Sequence, residues 1–459
     1  MMKLLMTAIA FMAGFVQAAI HADDNWPQFR GQAGSGIGSG DPPIEWNVET
    51  GKNVEWKTAI PGLGHSSPIV WGKRIFLTTA TNSETDRPSV ETGWAGGAGE
   101  SADDTGEWTW QILCLQLDTG KILWTRNAHV GVPTIKRHLK ASHANCTPST
   151  DGKHIVAFFG SEGLHCLNMD GDLLWKQDFG RLHSGPYDEK TLEWGFASSP
   201  ITHDGKVIVQ CDCLNTNFVA ILDVATGKEI RRIDREGEVA TWSTPLVVIT
   251  EGRQQIVCNG YRQMAGYDPA TGKVLWHLND GGDVPVPTPL FAGGLIYLTN
   301  GHGRSPIYAI KPTANGDITP SEKGIGNDGL AWWQTKDGAY MPTPLVREGL
   351  LYTCNDNGRL AVHDASTGNL MYRQRVGSGS RTFSASAVAG GGHIYFASER
   401  GEVTVIEEGK TFNRVAGNRM GDTVMATPAI SGDRLLIRSV DALFCLKTND
   451  REKNNRQNQ

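Results

Sequence analysis

A Ser/Thr-Pro step recurs along this chain of 459 residues at a nearly regular interval. The steps stand at Ser67-Pro68, Thr147-Pro148, Ser199-Pro200, Thr244-Pro245, Thr288-Pro289, Thr343-Pro344 and Thr427-Pro428. Ser386-Ala387-Val388 takes the same place in an eighth unit, and most spacings are 41 to 55 residues. Such a period, with four short strands per unit, is typical of propeller blades. The sequence therefore predicts an all-β, eight-bladed β-propeller of four-stranded antiparallel blades.

Each unit also carries a turn and an aromatic residue in fixed order. The turn before the fourth strand has an Asp-x-x-Thr-Gly pattern, as in residues 223–227, 268–272 and 364–368. Asp accepts hydrogen bonds from backbone amides two residues on, and Gly supplies the positive φ that closes a hairpin. The fourth strands carry Trp124, Trp175, Trp276, Trp332 and Tyr372. We expect these large rings to fill the gap between blades toward the rim.

The last unit lacks a fourth strand, and the N-terminal part of the chain contains a matching one. Residues 50–57 repeat the Thr-Gly-Lys…Trp pattern that is missing after residue 446. Pairing of the two chain ends would close the ring and remove two exposed sheet edges. We expect a lead-in at 23–45, a propeller at 46–446 and a polar tail at 447–459.

The first 22 residues have the pattern of a signal peptide. Lys3 precedes an apolar stretch at 4–16, and small residues follow. This stretch is too short for an ordinary membrane span, and no later stretch approaches about 18 apolar residues. We expect export to the periplasm or outside the cell and no membrane span; the alternative is a buried N-terminal helix. The net charge of −6 and the lack of a basic run argue against nucleic-acid binding.

The alternation of Ser/Thr-Pro strands with Asp-x-x-Thr-Gly-Lys-x-x-Trp turns resembles the PQQ-like repeat of quinoprotein-type propellers. Residues 25–31, Asn-Trp-Pro-Gln-Phe-Arg-Gly, resemble the start of a secreted planctomycete-type subgroup. The resemblance implies two possible functions. Quinoprotein dehydrogenases bind pyrroloquinoline quinone and Ca²⁺ in the propeller centre and oxidise alcohols or sugars. Propellers similar to BamB bind no quinone and present loops to partner proteins.

The chain departs from both patterns. The alcohol dehydrogenases have two adjacent cysteines, whereas Cys211 and Cys213 are separated by one residue here. No Glu, Asn and Asp set for calcium can be identified, so we predict no metal site, and the quinone with calcium is possible but not favoured. The lipid-anchored start of BamB is also missing, because no cysteine follows the apolar stretch at 4–16.

The eight cysteines have two interpretations. Cys114, Cys166 and Cys445 occupy positions where other blades have alanine, which indicates small core residues. A disulfide from Cys211 or Cys213 to Cys258 is the alternative, because their blades are neighbours and the chain is expected in an oxidising compartment.

Residues just before each Ser/Thr-Pro step are expected to ring one mouth of the propeller. These residues are His65, His143, Asn145, Trp194, Trp242, Tyr340, Met341, Arg381 and Met425. From them we predict Trp242, Arg381, Tyr340 and His143 as candidate cofactor-binding residues, since Trp242 could stack on a flat ring and Arg381 could pair with a carboxylate. The alternative is that these side chains line a wet funnel and that His143 is structural.

Two insertions, 81–110 and 128–145, are predicted to contact envelope or secreted proteins, because long loops on a rigid scaffold carry binding sites. An acidic run at 100–104 is interpreted as a solvated loop, with Ca²⁺ binding as the alternative. The sequence thus favours an exported, non-catalytic binding or scaffold propeller. The alternative is a quinone-dependent alcohol or sugar dehydrogenase with an atypical site.

Overall fold

The computed structural model describes residues 24–93, 99–250, 252–279, 281–321, 328–377 and 382–449. Within these ranges, 33 strands form eight sheets arranged as the blades of a propeller. The predicted all-β, eight-bladed architecture is therefore confirmed. The predicted signal peptide at 1–22 and residues 450–459 of the polar tail lie outside the described residues. In the described ranges no helix is long and apolar enough to cross a membrane.

The strands follow the repeat, with four in each of seven blades and a fifth in blade 4. Blades 1 to 4 comprise β2 (Ile69–Trp71), β3 (Arg74–Asn82), β4 (Trp108–Gln116) and β5 (Ile122–Gly131); β6 (Ser149–Thr150), β7 (His154–Phe158), β8 (Leu164–Asn168) and β9 (Leu173–Gln177); β10 (Ile201–His203), β11 (Lys206–Asp212), β12 (Asn217–Asp223) and β13 (Glu229–Asp234); and β14 (Leu246–Thr250), β15 (Arg253–Cys258), β16 (Met264–Tyr267) and β17 (Val274–Leu278). Blades 5 to 8 comprise β18 (Leu290–Ala292), β19 (Leu295–Thr299), β20 (Ile307–Ile310) and β22 (Leu330–Gln334); β23 (Leu345–Arg347), β24 (Leu350–Cys354), β25 (Arg359–Asp364) and β26 (Leu370–Arg375); β27 (Val388–Gly390), β28 (His393–Ala397), β29 (Glu402–Glu407) and β30 (Arg414–Arg419); and β31 (Ala429–Ser431), β32 (Arg434–Arg438), β33 (Ala442–Lys447) and β1 (Val54–Ala59). Short 3₁₀ turns lie at Gln32–Gly34 and Gly160–Glu162.

Blade 4 has one strand more than the sequence predicts. β21 (Gly316–Asp317) pairs parallel with the outer strand β17. The segment after β20 folds back along this edge, where Ile318 donates its amide to the carbonyl of His277 at 2.8 Å and buries its side chain. The extra strand covers an edge that would otherwise present unpaired amides and carbonyls.

The last blade is closed by both chain ends, as predicted. β1 pairs antiparallel with β33, with Lys57 opposite Phe444. The Nε1 of Trp56 donates to the Leu117 carbonyl at 2.8 Å, so the same strand also joins blade 8 to blade 1.

Trp124, Trp175 and Trp332 of the outer strands pack on the turn of the next blade, whereas the Nε1 of Trp276 donates to Gln255 of its own blade at 2.7 Å. The Nε1 of Trp175 donates to the Val224 carbonyl at 2.8 Å, and its ring covers Gly227. A Cβ at Gly227 would lie 2.5 Å from that ring, and its φ is +69°. The turn glycine is therefore needed both for its φ and for the close approach of the indole.

The Ser and Thr hydroxyls of the repeated step form a hydrogen-bonded belt around the propeller centre. A backbone N–H of one blade donates to the hydroxyl of the next at 2.9 to 3.0 Å. The donor and acceptor residues are Ser67 to Thr147, Thr147 to Ser199, Ser199 to Thr244, Thr288 to Thr343, Thr343 to Ser386 and Ser386 to Thr427. Blade 7 has no proline at this step, but its Ser386 hydroxyl still accepts from the Thr343 amide at 3.0 Å.

The lead-in segment crosses one end of the ring. Trp26 exchanges two backbone hydrogen bonds with Val70, and Gly38 donates to the carbonyl of Ala389. Arg30 is fully buried and donates to the carbonyls of Gly34, Ser35, Thr343, Pro344 and Ala387. Val70 and Ala389 each lie three residues after a belt hydroxyl, toward the far end of an innermost strand. The lead-in thus closes the end of the central channel that these strands run toward.

Candidate ligand-binding site

A cavity of about 580 Å³ lies at the other end of the central channel. The residue two positions before each belt Ser or Thr lines it in all eight units. These residues are His65, Asn145, Ala197, Trp242, Val286, Met341, Ser384 and Met425. We call this cavity the funnel. It has one mouth, because the lead-in closes the opposite end.

Two tryptophans form an aromatic wall of the funnel. The rings of Trp194 and Trp242 are 5.6 Å apart between centroids and tilted by 35°. The Nε1 of Trp242 donates to the Gly195 carbonyl at 2.8 Å, and the Nε1 of Trp194 donates to the Gly99 carbonyl at 3.2 Å. Both indole N–H groups are thus held by backbone, and the His138 ring meets Trp194 at 88° with centroids 5.4 Å apart.

A second group of funnel residues combines aromatic rings with carboxylates. Tyr340 lies against His302 with ring centroids 5.2 Å apart, and His302 Nδ1 is 3.5 Å from Asp283. Burial, with the charges of Asp356 and Asp283, raises the pKa of Tyr340 to about 12. Burial also raises the pKa of Asp356. Among the described residues, no hydrogen-bond partner faces the Tyr340 hydroxyl, so it can donate to or accept from a ligand.

The insertions reach over the funnel and are held there by Glu399 of blade 7. Lys140 donates to Glu399 Oε1 at 2.7 Å, and the amide of Gly93 donates to Oε2 at 2.7 Å. The hydroxyls of Thr382 and Ser384 donate to the same carboxylate. The Glu399 side chain is only 1% exposed. Lys140 compensates the charge of this buried carboxylate. We call the Lys140–Glu399 pair the latch.

A buried clasp joins the two insertions to each other. Arg137 binds both oxygens of Asp104 at 2.7 and 2.9 Å, and His143 Nε2 lies 2.9 Å from Asp104 Oδ2. The His143 ring packs edge-on against Trp108 at 4.7 Å. Asp104 therefore differs from the expected solvated loop, because an arginine and a histidine enclose its carboxylate.

The predicted site residues lie in three places. Trp242 and Tyr340 line the funnel, whereas His143 lies in the clasp and does not line it. The cause is the register: His143 is four residues before its belt threonine, and its side chain turns to Asp104. Arg381 lies in the range 378–381, outside the described residues. Ligand binding by these residues remains a prediction.

Lys140, Asp283, Asp356 and Glu399 were not among the predicted site residues. Asp283 precedes its belt threonine by five residues, and Lys140 lies in an insertion. Asp356 and Glu399 each follow their belt hydroxyl by 13 residues, so they occupy equivalent positions in blades 6 and 7. The position two residues before each belt hydroxyl identifies funnel-lining residues in the sequence, but none of these four residues occupies it.

The fit of a quinone and calcium is poor in the described part of the chain. Pyrroloquinoline quinone carries three carboxylates, and Lys140, the one lysine or arginine of the described lining, is bound to Glu399. No group of three or more His, Cys, Asp or Glu residues suited to a metal ion occurs in the searched ranges. Cys211 and Cys213 are buried in the core between blades 2 and 3.

All eight cysteines are free and buried. Cys114, Cys166 and Cys445 are core residues, as the repeat pattern predicts. The alternative disulfide from Cys211 or Cys213 to Cys258 is not formed. Burial raises the pKa of Cys213 and of Cys258 to about 12, which makes both thiols poor nucleophiles.

A family model described as "Outer membrane protein assembly factor BamB" matches residues 110–329 and 325–458. The chain belongs to the BamB family of PQQ-like repeat propellers. No curated protein matches it. The planctomycete-type subgroup stays a prediction.

Two solved structures with the same fold illustrate the breadth of this likeness. BamB from Moraxella catarrhalis is 13% identical, with a TM-score of 0.52, over 78% of this chain and 99% of that chain. A europium-containing methanol dehydrogenase is 11% identical, with a TM-score of 0.60, over 91% of this chain and 90% of that one. At such identities the likeness establishes the fold alone.

Proposed function

We propose that this chain is an exported, non-catalytic binding propeller that contacts envelope or secreted proteins. The observation that carries the proposal is the one-ended funnel, whose mouth is crossed by two insertions while its described lining lacks a free cation for a quinone. A rigid ring that presents inserted segments at one face is suited to recognition. Membership of the BamB family, named for outer membrane protein assembly, supports a protein partner.

The second insertion offers a specific contact surface for such a partner. Val130 and Val132 are 47% and 71% exposed, next to Lys136, whose charge is shared with Asp103 at 2.9 Å. Exposed apolar side chains beside charged ones are typical of contact surfaces between proteins. The first insertion packs against this segment through the clasp. We therefore assign partner binding to 81–110 and 128–145 together.

Site-specific crosslinking tests the partner-binding surface. A photoreactive residue at Val132, expressed in the native cell, is expected to capture an envelope or secreted protein that mass spectrometry can identify. Leu173 is 60% exposed on the outer strand β9, so the same group there is the matched control. Equal capture at both positions, or none at Val132, contradicts the assignment.

A quinone assay separates the proposal from the alternative dehydrogenase. The purified mature chain is mixed with pyrroloquinoline quinone and Ca²⁺, and its absorbance and dye reduction with alcohols and sugars are measured. We expect no stoichiometric quinone band and no turnover. A bound quinone with dye reduction would establish the dehydrogenase instead.

A further inference from the structure

The described funnel lining has an excess of negative charge. Asp188, Asp283 and Asp356 are its three carboxylates, and its one lysine, Lys140, is neutralised by Glu399. Asp283 lies 3.5 Å from His302, whereas no ion pair of Asp188 or Asp356 occurs among the described residues. A low-dielectric wall strengthens the field of such charges inside a concave site.

The two other histidines of the lining do not offset this charge near neutral pH. Burial, with the charges of Arg438 and Arg137, lowers the pKa of His65 to about 3. Burial and the neighbouring Lys140 lower the pKa of His138 to about 4. Both imidazoles are therefore neutral and act as polar or aromatic surface.

The same cavity presents aromatic faces that attract cations. Trp194 and Trp242 both line the cavity, with ring centroids 5.6 Å apart, and their N–H groups are bound to backbone carbonyls. Tyr340 lines the same cavity as Asp283 and Asp356, and its hydroxyl can accept a hydrogen bond from an N–H group. Indole faces beside carboxylates are a recurring way to bind ammonium groups.

We infer that the funnel binds an organic cation, an ammonium or guanidinium group on an apolar arm. The arm packs on Trp194 and Trp242 with Met341 and Met425, and the cationic head lies toward Asp283, Asp356 and Tyr340. This inference rests on the proposed binding function and names the chemistry of the group bound. The cation comes either from a free amine or from a lysine or arginine side chain of a partner.

A pair of isosteric probes tests the charge preference directly. Choline and 3,3-dimethyl-1-butanol have nearly the same shape and differ by the positive charge. Titration of the full mature chain, followed by calorimetry or ligand-observed NMR, is expected to give choline an affinity about tenfold higher. Equal affinity for the neutral isostere, or tighter binding of the anionic quinone, would overturn the inference.

Two variants locate the effect in the funnel. Asp356→Asn removes a charge and Trp242→Leu removes an aromatic face, and each is expected to lower choline affinity about fivefold or more. Asp204→Asn is the matched control, since Asp204 lies in an exposed turn with a φ of +47° that Asn tolerates. Choline binding unchanged in both funnel variants would refute the site. The Trp242 variant keeps the test decisive if the Asp356 variant does not fold.

Binding of a lysine-containing peptide distinguishes the two sources of the cation. The cation belongs to a partner protein if acetyl-Gly-Lys-Gly-amide binds more tightly than choline and its Nε-acetylated form does not bind. Tighter binding of choline assigns it to a free amine. The proposed function fails on quinone turnover or on the crosslinks at Val132, whereas the inference fails on cation preference.

Discussion

The Lys140 ammonium lies 2.7 Å from Glu399 Oε1, although the two residues are 259 positions apart in the chain. The pair joins an insertion of blade 1 to blade 7 across the mouth of the funnel. Glu399 also binds the amide of Gly93, so one buried carboxylate holds both insertions.

Breaking the latch should loosen both insertions. Glu399→Gln removes the charge that Lys140 faces, and breaking a buried ion pair from one side costs about 3 kcal/mol. We expect faster hydrogen exchange at 132–145 and at Gly93, with the blades unaffected. Glu407→Gln, an exposed substitution in the same blade, is the control and should leave the exchange rates unchanged. Uniform exchange changes across all blades would show that Glu399 supports the whole fold instead.

The clasp should make the protein sensitive to acid. Burial tends to raise the pKa of Asp104, but hydrogen bonds from His143 and Arg137 outweigh it and leave this pKa lowered. Burial lowers the pKa of His143 despite its contact with Asp104. Both groups take up protons more readily in the unfolded chain, so stability falls as the pH drops below about 6.5 for the histidine and below about 3.9 for the aspartate.

The histidine part of this effect can be measured separately. In His143→Gln, the free energy of unfolding between pH 6.5 and 4.5 should depend less on pH than in the wild type. His203→Gln, at a partly exposed strand end, serves as the control. If the free energy of unfolding of the His143 variant depends on pH as strongly as that of the wild type, other groups cause the acid sensitivity.

The belt hydroxyls should stabilise contacts between blades. Thr343→Val keeps the shape but leaves the amide of Thr288 without the acceptor it meets at 3.0 Å. An unsatisfied buried amide costs about 1–3 kcal/mol, which urea unfolding can measure. Thr404→Val is a matched control, because the Thr404 hydroxyl is buried without a hydrogen-bond partner. The belt has no energetic role if both variants unfold at the same urea concentration.

The fold could be predicted from the sequence because its information is repeated. Each Ser/Thr-Pro step fixes the start of an innermost strand, and the turn glycines Gly120, Gly227 and Gly368 each meet a tryptophan of the preceding blade. The funnel lining follows from the same register, since Trp242 and Met341 both lie two residues before a belt threonine. A single periodic rule thus gives the blades, the ring closure and part of the cavity.

The rest of the site could not be predicted because it depends on contacts that do not repeat. Nothing in the local pattern indicates that Lys140 meets Glu399 or that Asp104 turns His143 away from the funnel. The Lys140–Glu399 and Asp104–His143 contacts are made by the two insertions, which do not belong to the repeat, so periodicity carries no information about them.

The lead-in has a role that its short motif does not reveal, and Arg30 provides the test. Its guanidinium donates to the Pro344 carbonyl at 2.7 Å and to the Ala387 carbonyl at 3.2 Å, which joins blades 6 and 7 at the closed end of the channel. Arg30→Met keeps much of the volume but removes every donor, leaving buried carbonyls unpaired. We expect a loss of about 3 kcal/mol in the free energy of unfolding, because these hydrogen bonds involve a charged donor.

Arg419→Met, at an exposed position of β30, is the control and should stay within about 0.5 kcal/mol of the wild type. If the two variants unfold alike, the lead-in covers the channel without stabilising it, and the ring is held by the belt and the β1–β33 pairing alone.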